Sequence, residues 1–313
     1  NAAIDDSLAE DPSVVFLGED IANEGGVFKT NAGLPDKYPD RVINTPICEN
    51  GFTGVALGMA VVGMRPIVEF MFADFLPTAG DAIVNQLPKY RFMSGGQLQV
   101  PVTLRVISGG GGRFGTQHSA SGESWYMGQP GLRVAAAGTP AAAYELIRAG
   151  VASNDPVLVH EHKLLYLNQG PVRRGATATL GKASVEREGA DVTIVATMLM
   201  VHRAIQAANQ LEDEGIDVEV IDLRWIPPLD LETVTASVEK TGRLVVAEEG
   251  WHDGGWGATL ISRLSTAGAS MSAAPRVVGL PDDMLIPAAA PLEDQMLPSA
   301  ERIADEVRAS LYS

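Results

Sequence analysis

Two residues in this chain are placed to move protons. Glu49 opens a run of small and apolar residues, 51–63, that includes Gly54, Ala56, Gly58 and Ala60. A helix with no polar face is expected to be buried. A buried carboxylate must be paired or must titrate, and such groups cluster at functional sites. The plain alternative is a carboxylate that complements the positive end of the helix dipole, worth about 0.3–1 kcal/mol. His118 lies in a glycine-dense stretch, 109–119, which follows an expected strand. An imidazole there suits acid–base work; the alternative is a solvated loop histidine. Gly110, Gly112 and Gly115 match G-x-G-x-x-G. A dinucleotide fingerprint must open directly into a helix, however, and Gly128-Gln129-Pro130-Gly131 interrupts one here. No Lys-Ser/Thr pair follows, which excludes a Walker loop. His160-Glu161-His162 reads as alternation along a strand, with both histidines on one face, rather than as a metal pair. The turn-rich segment 251–257 reads as structural, and Cys48 as a small hydrophobe rather than a nucleophile.

These residues need elements to position them. The 313 residues are enough for about two domains. Expected strands are 13–17, 41–44, 65–70, 100–107 and 157–162, with helices at 51–63, 75–93 and 141–153. The second half repeats the pattern, with strands at 192–196, 218–222 and 243–248 and helices at 201–214, 231–239, 257–267 and 299–311. The segment 168–181 is rich in Gly, Pro and Arg and lacks a period, so the domain boundary is expected near 175. The prediction is an α/β protein of two domains, each a mostly parallel sheet with helices on both faces.

Composition excludes several classes. Apolar residues at 46% and charged residues at 20% exclude disorder for the bulk of the chain. The 23 Lys+Arg against 39 Asp+Glu give a net charge of −16, which argues against nucleic acid as a partner. A single cysteine excludes an intrachain disulfide and a zinc–thiolate cluster, and suits a reducing compartment such as the cytoplasm. The apolar run 55–64 ends at Arg65, short of the roughly 20 residues a membrane span needs. The chain opens at Asn1 with no signal-like segment, and residues upstream of it are expected.

An ordered set of motifs then carries a resemblance: Leu17-Gly-Glu-Asp20, Thr45-Pro-Ile-Cys-Glu-Asn-Gly-Phe52, Gly63-Met-Arg-Pro66, Glu69-Phe-Met71, Met93-Ser-Gly-Gly96, Gln117-His-Ser119 and Pro130-Gly131. Asp191-Val-Thr-Ile194, Asp222-Leu-Arg224, Glu248-Glu-Gly250 and Pro291-Leu-Glu-Asp294 continue it to the second half. The chain resembles the beta subunit of the thiamine-diphosphate-dependent decarboxylase component of 2-oxo acid dehydrogenase complexes, a transketolase-like family. The resemblance implies a pyrimidine-binding domain at 1–175 and a transketolase C-terminal-like domain at 176–313 that makes subunit contacts. It implies an alpha-2-beta-2 heterotetramer docked on a lipoyl acyltransferase core, in the cytoplasm or the mitochondrial matrix. Thiamine diphosphate would sit between subunits, with its magnesium held by the alpha subunit, since the Gly-Asp-Gly motif for that ion does not occur in this chain. Glu49 matches the glutamate that hydrogen-bonds the pyrimidine nitrogen and so assists loss of the thiazolium proton. His118 matches the active-site histidine near the substrate. Phe75 matches an aromatic packed on the pyrimidine, and Glu19 and Ile47 match its neighbours. Thr78 stands where Gln is frequent, Cys48 where Ser is, and Asn50 where Met or Ala is. Val102, Gly150, Val151, Ser153 and Asp155 match a structural potassium site. Among substrates, the segment 69–75 inclines toward pyruvate or acetoin, with pyruvate first and branched-chain 2-oxo acids behind. Competing readings are a dinucleotide-dependent oxidoreductase and a non-catalytic interaction module of such a complex; the presence of both Glu49 and His118 weighs against the latter.

Overall fold

The computed structural model describes residues 1–23 and 25–312. Among these, two sheets form. The first contains β1 (Val14–Gly18), β2 (Val42–Asn44), β3 (Arg65–Phe70), β4 (Thr103–Ser108), β5 (Arg133–Ala137) and β6 (Val157–His162), all parallel, in the order β2-β1-β3-β4-β6-β5. The second contains β7 (Ser184–Arg187), β8 (Val192–Ala196), β9 (Val218–Asp222), β10 (Leu244–Trp251) and β11 (Arg276–Leu280), in the order β11-β10-β8-β9-β7. In that sheet β7 alone runs antiparallel, at the edge. The helices are α1 (Ala2–Glu10), α2 (Leu34–Lys37), α3 (Glu49–Val61), α4 (Tyr90–Met93), α5 (Pro140–Ala152), α6 (Leu199–Glu212), α7 (Leu231–Thr241), α8 (Trp256–Ala267), α9 (Ala290–Met296) and α10 (Ala300–Leu311).

The two-residue period of the strands sorts the core into layers. Val15 and Leu17 of β1 face α3 with Phe52, Ala56 and Ala60, while Val14 and Phe16 face α1 and α5 with Leu8 and Leu146. In the second sheet α6 and α10 cover one face and α7 and α8 the other. β-branched strands buried on both faces are what a parallel sheet requires. The α1/α5 face also buries Arg105, which pairs with Glu69 and with Glu161 (2.7 Å); its guanidinium also reaches Asn31 Oδ1 at 3.1 Å. Removing one member of such a buried set costs about 3–5 kcal/mol. The sheets are joined where Ala136 N–H donates to Arg224 O (2.9 Å) and Ile226 N–H to Val134 O (2.7 Å).

The expected helix 75–93 is broken. It runs as a 3₁₀ segment (Ala73–Ala79), a π turn (Ala82–Gln86) and the short α4, because Pro77 and Pro88 each remove a backbone donor. Six elements escaped the periodicity reading: α1, α2, β5, β7, β11 and α9. No helix among the described residues is long and apolar enough to cross a membrane.

Candidate active site

In the first sheet the chain passes from β1 to β2 on one side and then to β3 on the other. That reversal is a topological switch point, where a crevice opens at the carboxyl ends of parallel strands. Every candidate residue but the potassium set lies beyond a strand end at this edge. Glu19 follows β1, Ile47 to Glu49 follow β2, Phe75 and Thr78 follow β3, and His118 follows β4.

Glu19 is buried, and its Oε1 has no hydrogen-bond partner. Burial, and next the neighbouring charge of Glu49, push its carboxyl up to about 7; the Cys48 backbone N–H, which donates to it, opposes the rise. Glu49 is the first residue of α3 and is half-buried, not buried as expected. The reason lies in α3 itself. Phe52, Thr53, Ala56, Leu57 and Ala60 are buried, but Gly51, Gly54, Val55, Gly58 and Val62 form an exposed apolar face. Cys48 is likewise exposed, against its reading as a buried hydrophobe.

His118 ends a 3₁₀ turn, Thr116–His118, and is half-buried. Its ring stands edge-on to Phe72 (centroids 4.8 Å apart) and to Phe75 (5.4 Å). Phe28 and Phe114 extend this aromatic wall, each about 6 Å from Phe72. Lys163 Nζ donates to the carbonyls of Gly109 and His118, at either end of the loop. Burial lowers the Lys163 ammonium to about 8, against the pull of Glu249, Asp74 and Glu293. The structure therefore gathers two groups of predicted residues: Glu19 with Glu49, and Phe75 with His118. Ile47 is 84% exposed. Thr78 is exposed, and its hydroxyl donates to Phe75 O (2.7 Å), so it is already used within its own turn. Phe72, Phe28 and Phe114 were missed; the Phe70/Phe72/Phe75 spacing beyond a strand end was the available signal.

His160 and His162 do share a strand face. His160 is buried, held neutral with its value lowered to about 3 by burial, and its Nδ1 meets Ser108 Oγ at 2.8 Å. His162 Nε2 meets Glu249 Oε2 at 3.1 Å. Trp251 Nε1–H donates to Met284 O (3.0 Å), in keeping with a structural turn.

The residues of the expected potassium site already have partners within the chain. Arg65 Nη1 donates to the carbonyls of Val151 (2.8 Å) and Ser153 (2.9 Å). Asp155 pairs with Arg91 (2.7 Å) and Arg133 (3.0 Å). The Val102 carbonyl accepts from Val157 N–H, and that of Gly150 from Ser153 N–H. With three guanidinium groups already among these acceptors, the residues do not fit a further monovalent cation. The pyrimidine half of thiamine diphosphate fits the chemistry of this edge, which carries an unpartnered buried carboxylate oxygen, a half-buried second carboxylate and a ring-lined wall.

Comparison with known proteins decides the family. Residues 1–169 match the transketolase pyrimidine-binding domain and 181–303 the transketolase C-terminal domain. The chain is a transketolase-like beta subunit of the 2-oxo acid dehydrogenase family. It is 40% identical over 99% of its length to the acetoin:2,6-dichlorophenolindophenol oxidoreductase subunit beta of Cupriavidus necator, and spans 95% of that relative. It is 42% identical over 99% of its length to the mitochondrial pyruvate dehydrogenase E1 component subunit beta-1 of Arabidopsis thaliana, spanning 86% of it. Among solved structures, a split-gene transketolase described as an inactive beta4 tetramer superposes with a TM-score of 0.83 at 25% identity, over 99% of this chain and 96% of that one. The family depends on thiamine diphosphate.

Proposed function

We propose that this chain supplies the pyrimidine half of the active site in the decarboxylating component of a 2-oxo acid dehydrogenase, with pyruvate as substrate. What supports the reading is that Glu19 lies beside Glu49, and Phe75 against His118, in the segments that leave the carboxyl ends of β1 to β4. The division into catalytic and subunit-contacting domains near residue 175 belongs to the same proposal. So do an alpha partner that holds the magnesium and the diphosphate, and docking on a lipoyl acyltransferase core.

The cofactor, when bound, supplies a carbon nucleophile and an electron sink for decarboxylation. Glu49 would hold the pyrimidine through a hydrogen bond at a ring nitrogen and keep a proton there. Glu19, driven toward neutrality by its burial and by the neighbouring carboxylate, would stand beside it as a second carboxyl group. Phe75 would pack against the ring and exclude water, and His118 would place an imidazole where the 2-oxo group reacts. Ile47 and the outer face of α3, exposed in this chain, are where the partner would close the site.

Glu49→Gln tests the assignment. Co-purified with its partner, the variant should fold normally and lose roughly 10²–10⁴-fold in decarboxylation of pyruvate. Turnover that survives the change would refute the catalytic role of Glu49. A wild-type complex that turns over acetoin or a branched-chain 2-oxo acid in preference to pyruvate would refute the substrate.

A further inference from the structure

The loop that presents His118 is intrinsically loose. Residues 109–119 contain five glycines, and Gly109, Gly111 and Gly115 stand at φ of +92°, +82° and +77°. Glycine loses more freedom on ordering than any other residue. Something must hold this loop, and the anchors come from outside it. Glu249, at the end of β10, is buried. Its Oε1 accepts from Gly110 N–H (2.5 Å) and Ser121 Oγ–H (3.3 Å), and its Oε2 meets His162 Nε2. Glu293 of α9 is also fully buried. Its Oε1 accepts from Gly111 N–H (2.8 Å), and its Oε2 from Arg113 N–H (3.2 Å) and Arg113 Nη1 (2.6 Å). Lys163, just beyond β6, ties both ends of the loop through the carbonyls of Gly109 and His118. The glycines permit this closeness: a Cβ on Gly109 would lie 2.0 Å from the His162 ring, and one on Gly110 would lie 2.9 Å from Leu297.

We infer that Lys163, Glu249 and Glu293 are positioning residues for His118, and that through the two glutamates the second domain sets the geometry of a group the first domain carries. This rests on His118 being an active-site residue. Charge-assisted bonds to backbone groups are among the stronger hydrogen bonds, so this is a rigid mount rather than incidental packing. The anchors act on the 109–118 segment and not on the Glu19–Glu49 pair. Releasing an anchor should therefore lower the rate without weakening hold on the cofactor.

Lys163→Met, Glu249→Gln and Glu293→Gln test this in the complete enzyme, co-purified with its partner. Misplacement of a reacting group by about 1 Å costs up to about 10²-fold, so kcat should fall by roughly ten- to a hundredfold while half-saturation by thiamine diphosphate moves less than about twofold. In the isolated full chain, trypsin should cut after Arg113 faster than in wild type, with overall unfolding still cooperative. Glu293→Gln, which keeps one acceptor, carries the test if Lys163→Met or Glu249→Gln prevents folding. Unchanged kcat in a folded variant overturns the inference, as does an equal loss of rate and of cofactor affinity with the loop still protected. If His118→Ala leaves turnover intact, the reading of His118 is what fails; trypsin sensitivity still reports on the mount.

Discussion

Glu19 lies beside Glu49 where the chain after β1 meets the chain after β2, and burial, then the charge of Glu49, favours the protonated form of Glu19. Glu19 takes up the proton, rising from an ordinary 4.5 to about 7. An acid raised on folding binds more protons in the native than in the unfolded state between those two values. The native state is thus unpenalised below about 4.5 and loses stability as pH rises toward 7. Glu19→Gln removes that loss. The variant should match wild type near pH 4 and exceed it at pH 8, by on the order of 1–3 kcal/mol. Denaturant midpoints of both chains at the two pH values decide it; a gain of equal size at both would mean the carboxyl charge is not the cause. The sequence named both carboxylates through the motifs around them. It misjudged the burial of Glu49, because residue types do not say which apolar surface their own chain covers.

Helix α3 shows what that error means at the level of an element. Its outer face carries Gly54 and Gly58, and a Cβ built on either meets nothing within 4 Å. A mid-helix glycine costs about 0.5–1 kcal/mol relative to alanine, so the chain alone gains nothing from them. A close-packed neighbour outside the chain would. The double change Gly54→Ala, Gly58→Ala should raise the stability of the isolated chain by about 1–2 kcal/mol and at the same time weaken assembly with the partner. Chemical unfolding and native mass spectrometry read the two effects separately, and unimpaired assembly would dissociate α3 from the interface. Elsewhere legibility followed chemistry. Val157–His162, Val192–Ala196 and Val218–Asp222 were bounded to the residue, because β-branched runs buried on both faces have few other readings. Arg133–Ala137 was hidden by its three alanines, which carry no strand preference, and Ser184–Arg187 by its exposed antiparallel edge.

At the scale of the whole molecule the proposed function makes the site half a site. On that proposal the first sheet offers the pyrimidine carboxylates and the ring-lined wall, and the second domain braces His118. Among the described residues no group of three or more His, Cys, Asp or Glu is arranged to hold a metal ion. A cofactor bound at micromolar strength across a complete site corresponds to about 8 kcal/mol; half of that energy is about 4 kcal/mol, or millimolar binding. The isolated chain, with Val55, Val62 and Ile47 bare to solvent, should therefore associate with itself and keep no thiamine diphosphate through purification. Co-expression with the alpha partner should convert it to a heterotetramer carrying two cofactors and two magnesium ions. Native mass spectrometry with and without thiamine diphosphate and magnesium distinguishes these outcomes. Tight retention of the cofactor by the chain alone would mean that the diphosphate is held by residues of this chain, and the division of the site between two subunits would fall.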